Sequence, residues 1–157
     1  MSKFTSASLC VALLSMSVAA NAEGQVLPND LAKCRSGPST LVQISGVKAG
    51  SGKIRVQSYR ANASEWLAKG RWLTRIEVPA RASSMTVCVP LPQAGAYGIA
   101  VRHDFNGNGK TDLSTDGGGM SNNPSINIFN LGKPSYKKTA FEVGNAPRTI
   151  SITMKYM

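Results

Sequence analysis

The stretch TISITMKY at residues 149–156 decides the fold class, because polar and apolar side chains alternate through it without interruption. Alternation with a period of two is typical of a half-buried antiparallel strand, whose successive side chains point to opposite faces of the sheet. The apolar face carries Ile150, Ile152, Met154 and Tyr156. The end of the chain therefore predicts a strand with one face in a core.

Shorter runs of the same kind occur at 41–45, 53–59 and 75–78, with Pro- and Gly-rich turn signals between the strand candidates. One short helix is predicted at 62–69, with Ser64 as a candidate N-cap and Gly70 as its end. Because helices are too few to cover a parallel sheet, we predict an all-β, antiparallel β-sandwich with at most one short helix.

The first 22 residues have the features of a cleavable secretory signal peptide. Lys3 provides a positive start, an apolar run follows at 9–19, and Ala20-Asn21-Ala22 places small residues before a cleavage site at Glu23. The apolar run is too short to span a bilayer, and no second run approaches the length of about 20 residues that a spanning helix needs. We therefore expect an exported protein, periplasmic or extracellular, with an extended leader at 23–38 and one domain at 39–157.

Cleavage would remove Cys10 and leave two cysteines, Cys34 and Cys88. An even number of cysteines in an oxidising compartment favours a disulfide between them. Two buried free thiols are the alternative.

The sequence is basic, with 18 Lys and Arg residues against 8 Asp and Glu residues and a formal net charge of +10. The basic residues are spread along the chain, and no aromatic-basic motif accompanies them, so we do not predict a nucleic-acid partner. The alternatives are a solvated basic face and a face, including Arg55 and Arg75, that attracts anionic envelope polymers or lipid headgroups.

A predicted strand at 97–103 runs directly into DFNGNGKTD at 104–112. In a calcium-loop template, Asp104, Asn106 and Asn108 would supply oxygens at positions 1, 3 and 5. Gly109 stands at position 6, where the chain must turn sharply. The remaining candidate ligands are the Lys110 carbonyl, Asp112 and Asp116, the last because position 12 is Thr115 rather than Glu.

These residues predict a low-affinity Ca²⁺ loop, with a dissociation constant of about 10⁻⁴ to 10⁻³ M, as in extracellular modules. The alternative is an Asn/Gly-rich turn whose side chains bind their own backbone. His103, the only histidine, precedes the loop and could orient it. No nucleophile motif accompanies His103, so a hydrolase centred on this residue is not favoured and no catalytic residue is predicted.

The segments YGIAVRHDFNGNGKTD, GGGMSNNP, KPSYKKTAFEV and ISITMKYM together resemble the DUF2141 family, exported bacterial proteins of unknown function. The resemblance extends over about residues 39–157 and includes the segment 121–123. It implies a β-sandwich of transthyretin-like or immunoglobulin-like type and no particular activity. This chain departs from the family pattern at Met120, and at Lys137 and Lys138, where acidic residues are common.

Overall fold

The computed structural model describes residues 24–157. The signal peptide predicted at 1–22, with Cys10, lies outside the described residues. Within residues 24–157, no helix has the length and apolar character needed to cross a membrane.

The regular secondary structure of the described chain is almost entirely β-strand. They are β1 (Gln25–Leu27), β2 (Ser39–Val47), β3 (Lys53–Arg60), β4 (Thr74–Pro79), β5 (Ser83–Pro90), β6 (Gly95–Asp104), β7 (Gly117–Met120), β8 (Phe141–Val143), β9 (Arg148–Thr153) and β10 (Lys155–Tyr156). One four-residue helix, α1 (Tyr136–Thr139), and two 3-10 turns at Leu31–Cys34 and Ile128–Asn130 complete the described elements. This confirms the all-β class with one short helix.

The strands form two sheets. The larger sheet has the order β1-β4-β3-β6-β7-β10, with β8 also paired to β6, and the smaller sheet has the order β5-β2-β9. The apolar faces of the two sheets pack together and make one core. Its fully buried side chains include Val42, Ile44, Ile54, Val56, Ile76, Val87, Val89, Ile99 and Ile152. The predicted sandwich is therefore confirmed.

Most strand pairs are antiparallel, but β1 pairs with β4 and β2 pairs with β9 in parallel. The sheets are thus mixed, whereas we had predicted purely antiparallel ones. Alternation reports which face of a strand is buried and carries no information on its direction, so it could not reveal the two parallel pairs.

The predicted helix at 62–69 was wrong, because this segment forms successive turns. Asn62, not the predicted cap Ser64, holds the segment: its Oδ1 accepts hydrogen bonds from the amides of Ser64 and Glu65 at 3.1 and 2.9 Å. Trp66 packs across Gly98 of β6, and its indole Nε1 donates to the Pro134 carbonyl at 2.8 Å. The segment is thus held by the Asn62 hydrogen bonds and by the tertiary contacts of Trp66, and not by helical hydrogen bonding.

The predicted disulfide is present between Cys34 and Cys88, whose Cα atoms are 5.7 Å apart. It links the leader to β5. The leader predicted as extended at 23–38 contains strand β1, which adds to the edge of the larger sheet. The segment before the main domain is therefore part of the folded unit.

Candidate functional site

The candidate calcium loop connects two neighbouring antiparallel strands. Strand β6 ends at Asp104, β7 begins at Gly117, and His103 lies opposite Gly117 in the register. The loop at 105–116 is therefore held at both ends by the larger sheet, and all six predicted ligand residues lie in or beside it.

Asp104 is the more deeply buried of the two buried carboxylates in the predicted ligand set, with 4% of its surface exposed against 7% for Asp116. Its Oδ2 accepts a hydrogen bond from the amide of Gly109 at 2.8 Å, and Arg102 Nη2 lies 3.5 Å from the same oxygen. The other oxygen, Oδ1, is buried without a hydrogen-bond partner among the described residues. A buried carboxylate oxygen in that condition costs free energy and calls for a physical explanation.

The exposed part of the loop is organised by its two asparagines. Oδ1 of Asn106 accepts from the Asn108 amide at 3.1 Å, and Oδ1 of Asn108 accepts from the Lys110 amide at 2.7 Å. Their side-chain amides donate to Asp112 Oδ2 at 2.9 and 2.7 Å. These two hydrogen bonds favour the charged carboxylate and hold the pKa of Asp112 below its usual range, with the bond from Asn106 as the larger cause and the bond from Asn108 as the next.

Asp116 closes the base of the loop. Its Oδ1 accepts from the Phe105 amide and its Oδ2 accepts from the Asp112 amide, both at 3.1 Å. Both oxygens of this buried carboxylate are thus used by backbone N–H groups. Nowhere in residues 24–157 do three His, Cys, Asp or Glu side chains come together in a metal-binding arrangement. An ion in this loop would therefore need amide and carbonyl oxygens, including those of Asn106, Asn108 and Lys110.

Sequence reasoning did not single out Arg102, although it contacts the loop from below. Its Nη1 donates to Thr111 Oγ1 at 2.8 Å and its Nη2 donates to the Gly109 carbonyl at 3.1 Å. The sequence feature that could have identified Arg102 was its position in the predicted strand, because alternation along β6 puts residue 102 on the face opposite to His103.

His103 is fully buried and both of its ring nitrogens are engaged. Nε2 lies 2.7 Å from the Ser51 carbonyl oxygen and Nδ1 lies 2.7 Å from the Tyr156 hydroxyl. Because a carbonyl oxygen only accepts, Nε2 is the donor in the first bond. The imidazole thus joins β6 to the turn before β3 and to the last strand, rather than facing solvent.

The segment 121–123 also joins separate parts of the fold. Ser121 Oγ accepts from the Ile99 amide at 3.0 Å and donates to the Thr139 carbonyl at 2.5 Å. Asn123 Oδ1 accepts from the Thr153 amide at 2.8 Å. These hydrogen bonds connect β6, α1 and β9, so the polar side chains of this segment have a structural role in the fold.

A protein-family model, described as an uncharacterized protein conserved in bacteria (DUF2141), matches residues 42–151. No curated protein and no solved structure matches the chain. The matched range includes the loop at 104–116, His103 and the segment 121–123, and covers well over half of the sequence. The chain therefore belongs to the DUF2141 family.

Proposed function

We propose that this chain is an exported, non-catalytic β-sandwich protein whose loop at 104–116 binds Ca²⁺ as a structural ion. The observation that supports the proposal is the buried Oδ1 of Asp104, the residue at position 1 of the loop, which has no hydrogen-bond partner within residues 24–157. Carboxylate oxygens are ligands that a hard cation such as Ca²⁺ prefers, and a bound ion would remove the cost of leaving this oxygen unpaired.

The backbone of the loop supports the same proposal. Gly109, at the sharp-turn position, has a φ of +78° and donates its amide to Asp104. The left-handed conformation is readily available to glycine. The loop is therefore already curled around the carboxylate that would hold the ion.

A thermal melt in millimolar CaCl₂ against EDTA tests the proposal. We expect calcium to raise the Tm by mass action, because an ion that binds only the folded state stabilises it. The variant Asp104→Asn should lose this shift. Asp30→Asn, which removes the same charge from the leader outside the loop, should keep it. An unchanged Tm of the wild-type protein would reject calcium binding.

We propose as a second candidate function the binding of an anionic component of the cell envelope by the outer face of the larger sheet. The observation behind it is a cross-strand row in which Arg55 lies opposite Arg102, Arg102 opposite Gly118, and Gly118 opposite Lys155. Two like charges directly opposite each other destabilise a sheet. Glu77, 2.7 Å from Arg55, and Asp104 offset only part of this charge.

Arg75, the other basic residue predicted to bind anions, is less available. Its guanidinium lies 4.3 Å from the centroid of the Trp72 ring. Retention on an anionic polymer matrix should fall as salt rises, and Lys155→Gln should weaken it. Lys33→Gln, the same charge change in the leader, should have a smaller effect. Retention that does not respond to salt would exclude this candidate.

A further inference from the structure

A cleft of about 280 Å³ lies on the outer face of the larger sheet, between the loop at 105–116 and the segment at 124–133. Its floor is formed by outward-facing residues of β3, β6 and β7. They include Arg55, Ala100, Arg102 and Gly118. Gly118 has no side chain, so the middle of the cation row is open where the cleft is formed.

The walls of the cleft are apolar. Leu113 and Leu131 are 54% and 74% exposed, so both present apolar surface to solvent beside the cleft. The apolar lining residues include Leu67, Leu113, Met120, Ile126, Leu131 and Met157. Concave sites lined mostly by apolar groups, with a few polar groups that orient the ligand, are typical of small-molecule binding.

Two of these leucines have an unfavourable backbone conformation. Leu67 and Leu131 have φ values of +55° and +48°, in the left-handed region that bulky residues rarely adopt. Such conformations cost free energy and concentrate at ligand-binding sites, where the surrounding structure holds them. Both leucines come from separate loops and line the same cleft.

The charged groups of the cleft are mostly cationic. The basic lining residues are Arg55, Arg102, Lys133 and Lys155. Asp116 also lines the cleft, but both of its oxygens accept backbone N–H groups. Nε of Arg102 is buried with no hydrogen-bond partner among residues 24–157. The cleft thus combines excess positive charge with an apolar wall.

We propose that this cleft binds a small amphipathic anion, with an oxyanion head on the cation row and a short aliphatic tail against the leucines. The inference rests on the anion-binding face proposed above and names the ligand class for it. Arginine binds oxyanions through a planar fork of donors, which suits a carboxylate head. A polymer bound by charge alone would make no use of the leucine wall.

Calorimetric titration of the purified protein with decanoate tests the proposal. We expect decanoate to bind saturably at one site. Acetate, which lacks the aliphatic tail, and 1-decanol, which lacks the negative charge, should both bind much more weakly. Gly118→Leu should weaken decanoate binding by at least about ten-fold by filling the cleft. A Cβ at residue 118 would meet only Ile126 Cδ1, at 3.9 Å, so the outer face has room for the start of this side chain.

Gly144→Leu is the matched control, since nothing lies within 4 Å of a Cβ at this exposed position, and it should bind decanoate like the wild type. If Gly118→Leu does not fold, Leu131→Ser changes the exposed wall and should weaken binding in the same direction. Absent decanoate binding, or equal binding by acetate, overturns the inference. Salt-sensitive retention on the anionic polymer would then persist if only the ligand class is wrong, and would be absent if the anion-binding face itself is wrong.

Discussion

At the scale of single residues, the Tyr156 hydroxyl holds the end of the chain in place. It accepts a hydrogen bond from the Lys48 amide at 3.0 Å and lies 2.7 Å from His103 Nδ1. The ring packs on the flat surface that Gly117 leaves in β7. One phenol therefore satisfies a backbone group and a buried imidazole while fastening β10 to the larger sheet.

Tyr156→Phe should lower the free energy of unfolding by about 1–3 kcal/mol, because the buried His103 nitrogen loses its partner while the ring packing is kept. Urea unfolding followed by circular dichroism measures the change. Tyr136→Phe is a suitable control, since the Tyr136 hydrogen bonds to Thr139 and Ala140 are made by its backbone carbonyl, which the substitution keeps. Equal stability of Tyr156→Phe and the wild type would contradict the hydrogen-bonded role.

Stability should also decline in alkali. Burial raises the pKa of Tyr156 above the ordinary value of 10.0, against a smaller opposite effect of the Lys48 amide, and burial likewise raises the pKa of Tyr59. As pH rises, the unfolded chain loses these protons first, so their contribution to stability is complete below about pH 10 and is lost above it. Urea unfolding at several alkaline pH values should show this decline. The decline should be shallower for Tyr156→Phe, and an identical slope would refute the attribution of the decline to Tyr156.

At the scale of elements, β7 shows how a strand can form without any pattern in its side chains. It consists of Gly117-Gly118-Gly119-Met120, and alternation could not predict it. The inner glycines are required by close packing: a Cβ on Gly117 would lie 2.5 Å from the Tyr156 ring, and one on Gly119 would lie 2.6 Å from Ile152 Cγ2. Gly118 faces outward and has no such neighbour.

Gly119→Ala and Gly118→Ala form a matched pair in this strand. Gly119→Ala should destabilise the protein by about 1–3 kcal/mol through overpacking against Ile152 and Met154. Gly118→Ala should be neutral or slightly stabilising, since glycine within a strand costs conformational entropy. Denaturant unfolding of both variants measures the difference. Similar unfolding free energies for the two variants would show that packing between the sheets is not the reason for glycine at position 119.

At the scale of the whole molecule, the closing stretch shows what alternation could and could not predict. The sequence correctly indicated buried Ile152 and Met154 and exposed polar partners, and thus the sandwich. It did not reveal that the chain changes sheets within this stretch, with β9 beside β2 and β10 beside β7. That change depends on the Asn123 hydrogen bond to the Thr153 amide and on the glycines of β7, which are contacts distant in sequence.

The candidate site was predictable in the same partial way. Spacing alone located the loop and its oxygen-bearing residues, because calcium-type loops place their ligands at fixed intervals along the chain. The contribution of Arg102, and the cleft beside the loop, depend on strand register. Register places Arg55 and Lys155, far apart in sequence, in one row with Arg102.

The position of Arg102 leads us to predict that the proposed calcium loop and the proposed anion-binding cleft are coupled. It lies 3.5 Å from Asp104 Oδ2 and holds the loop through Thr111, and Arg102, Thr111 and Leu113 line the cleft. Calcium on Asp104 would compete with Arg102 for this carboxylate and leave the guanidinium available to an anion. Decanoate should therefore bind more tightly in calcium than in EDTA, by a factor within the usual range of about 5–150 for coupled sites.

Calorimetric titrations of each ligand in the presence and absence of the other measure this coupling. Thermodynamic linkage requires decanoate to tighten calcium binding by the same factor. Arg102→Lys should reduce the coupling more than Arg55→Lys does, because Arg55 pairs with Glu77 and makes no ion pair with a carboxylate of the loop. If calcium and decanoate both bind but neither changes the affinity of the other, the shared-arginine explanation is wrong. The two sites would then be adjacent and independent.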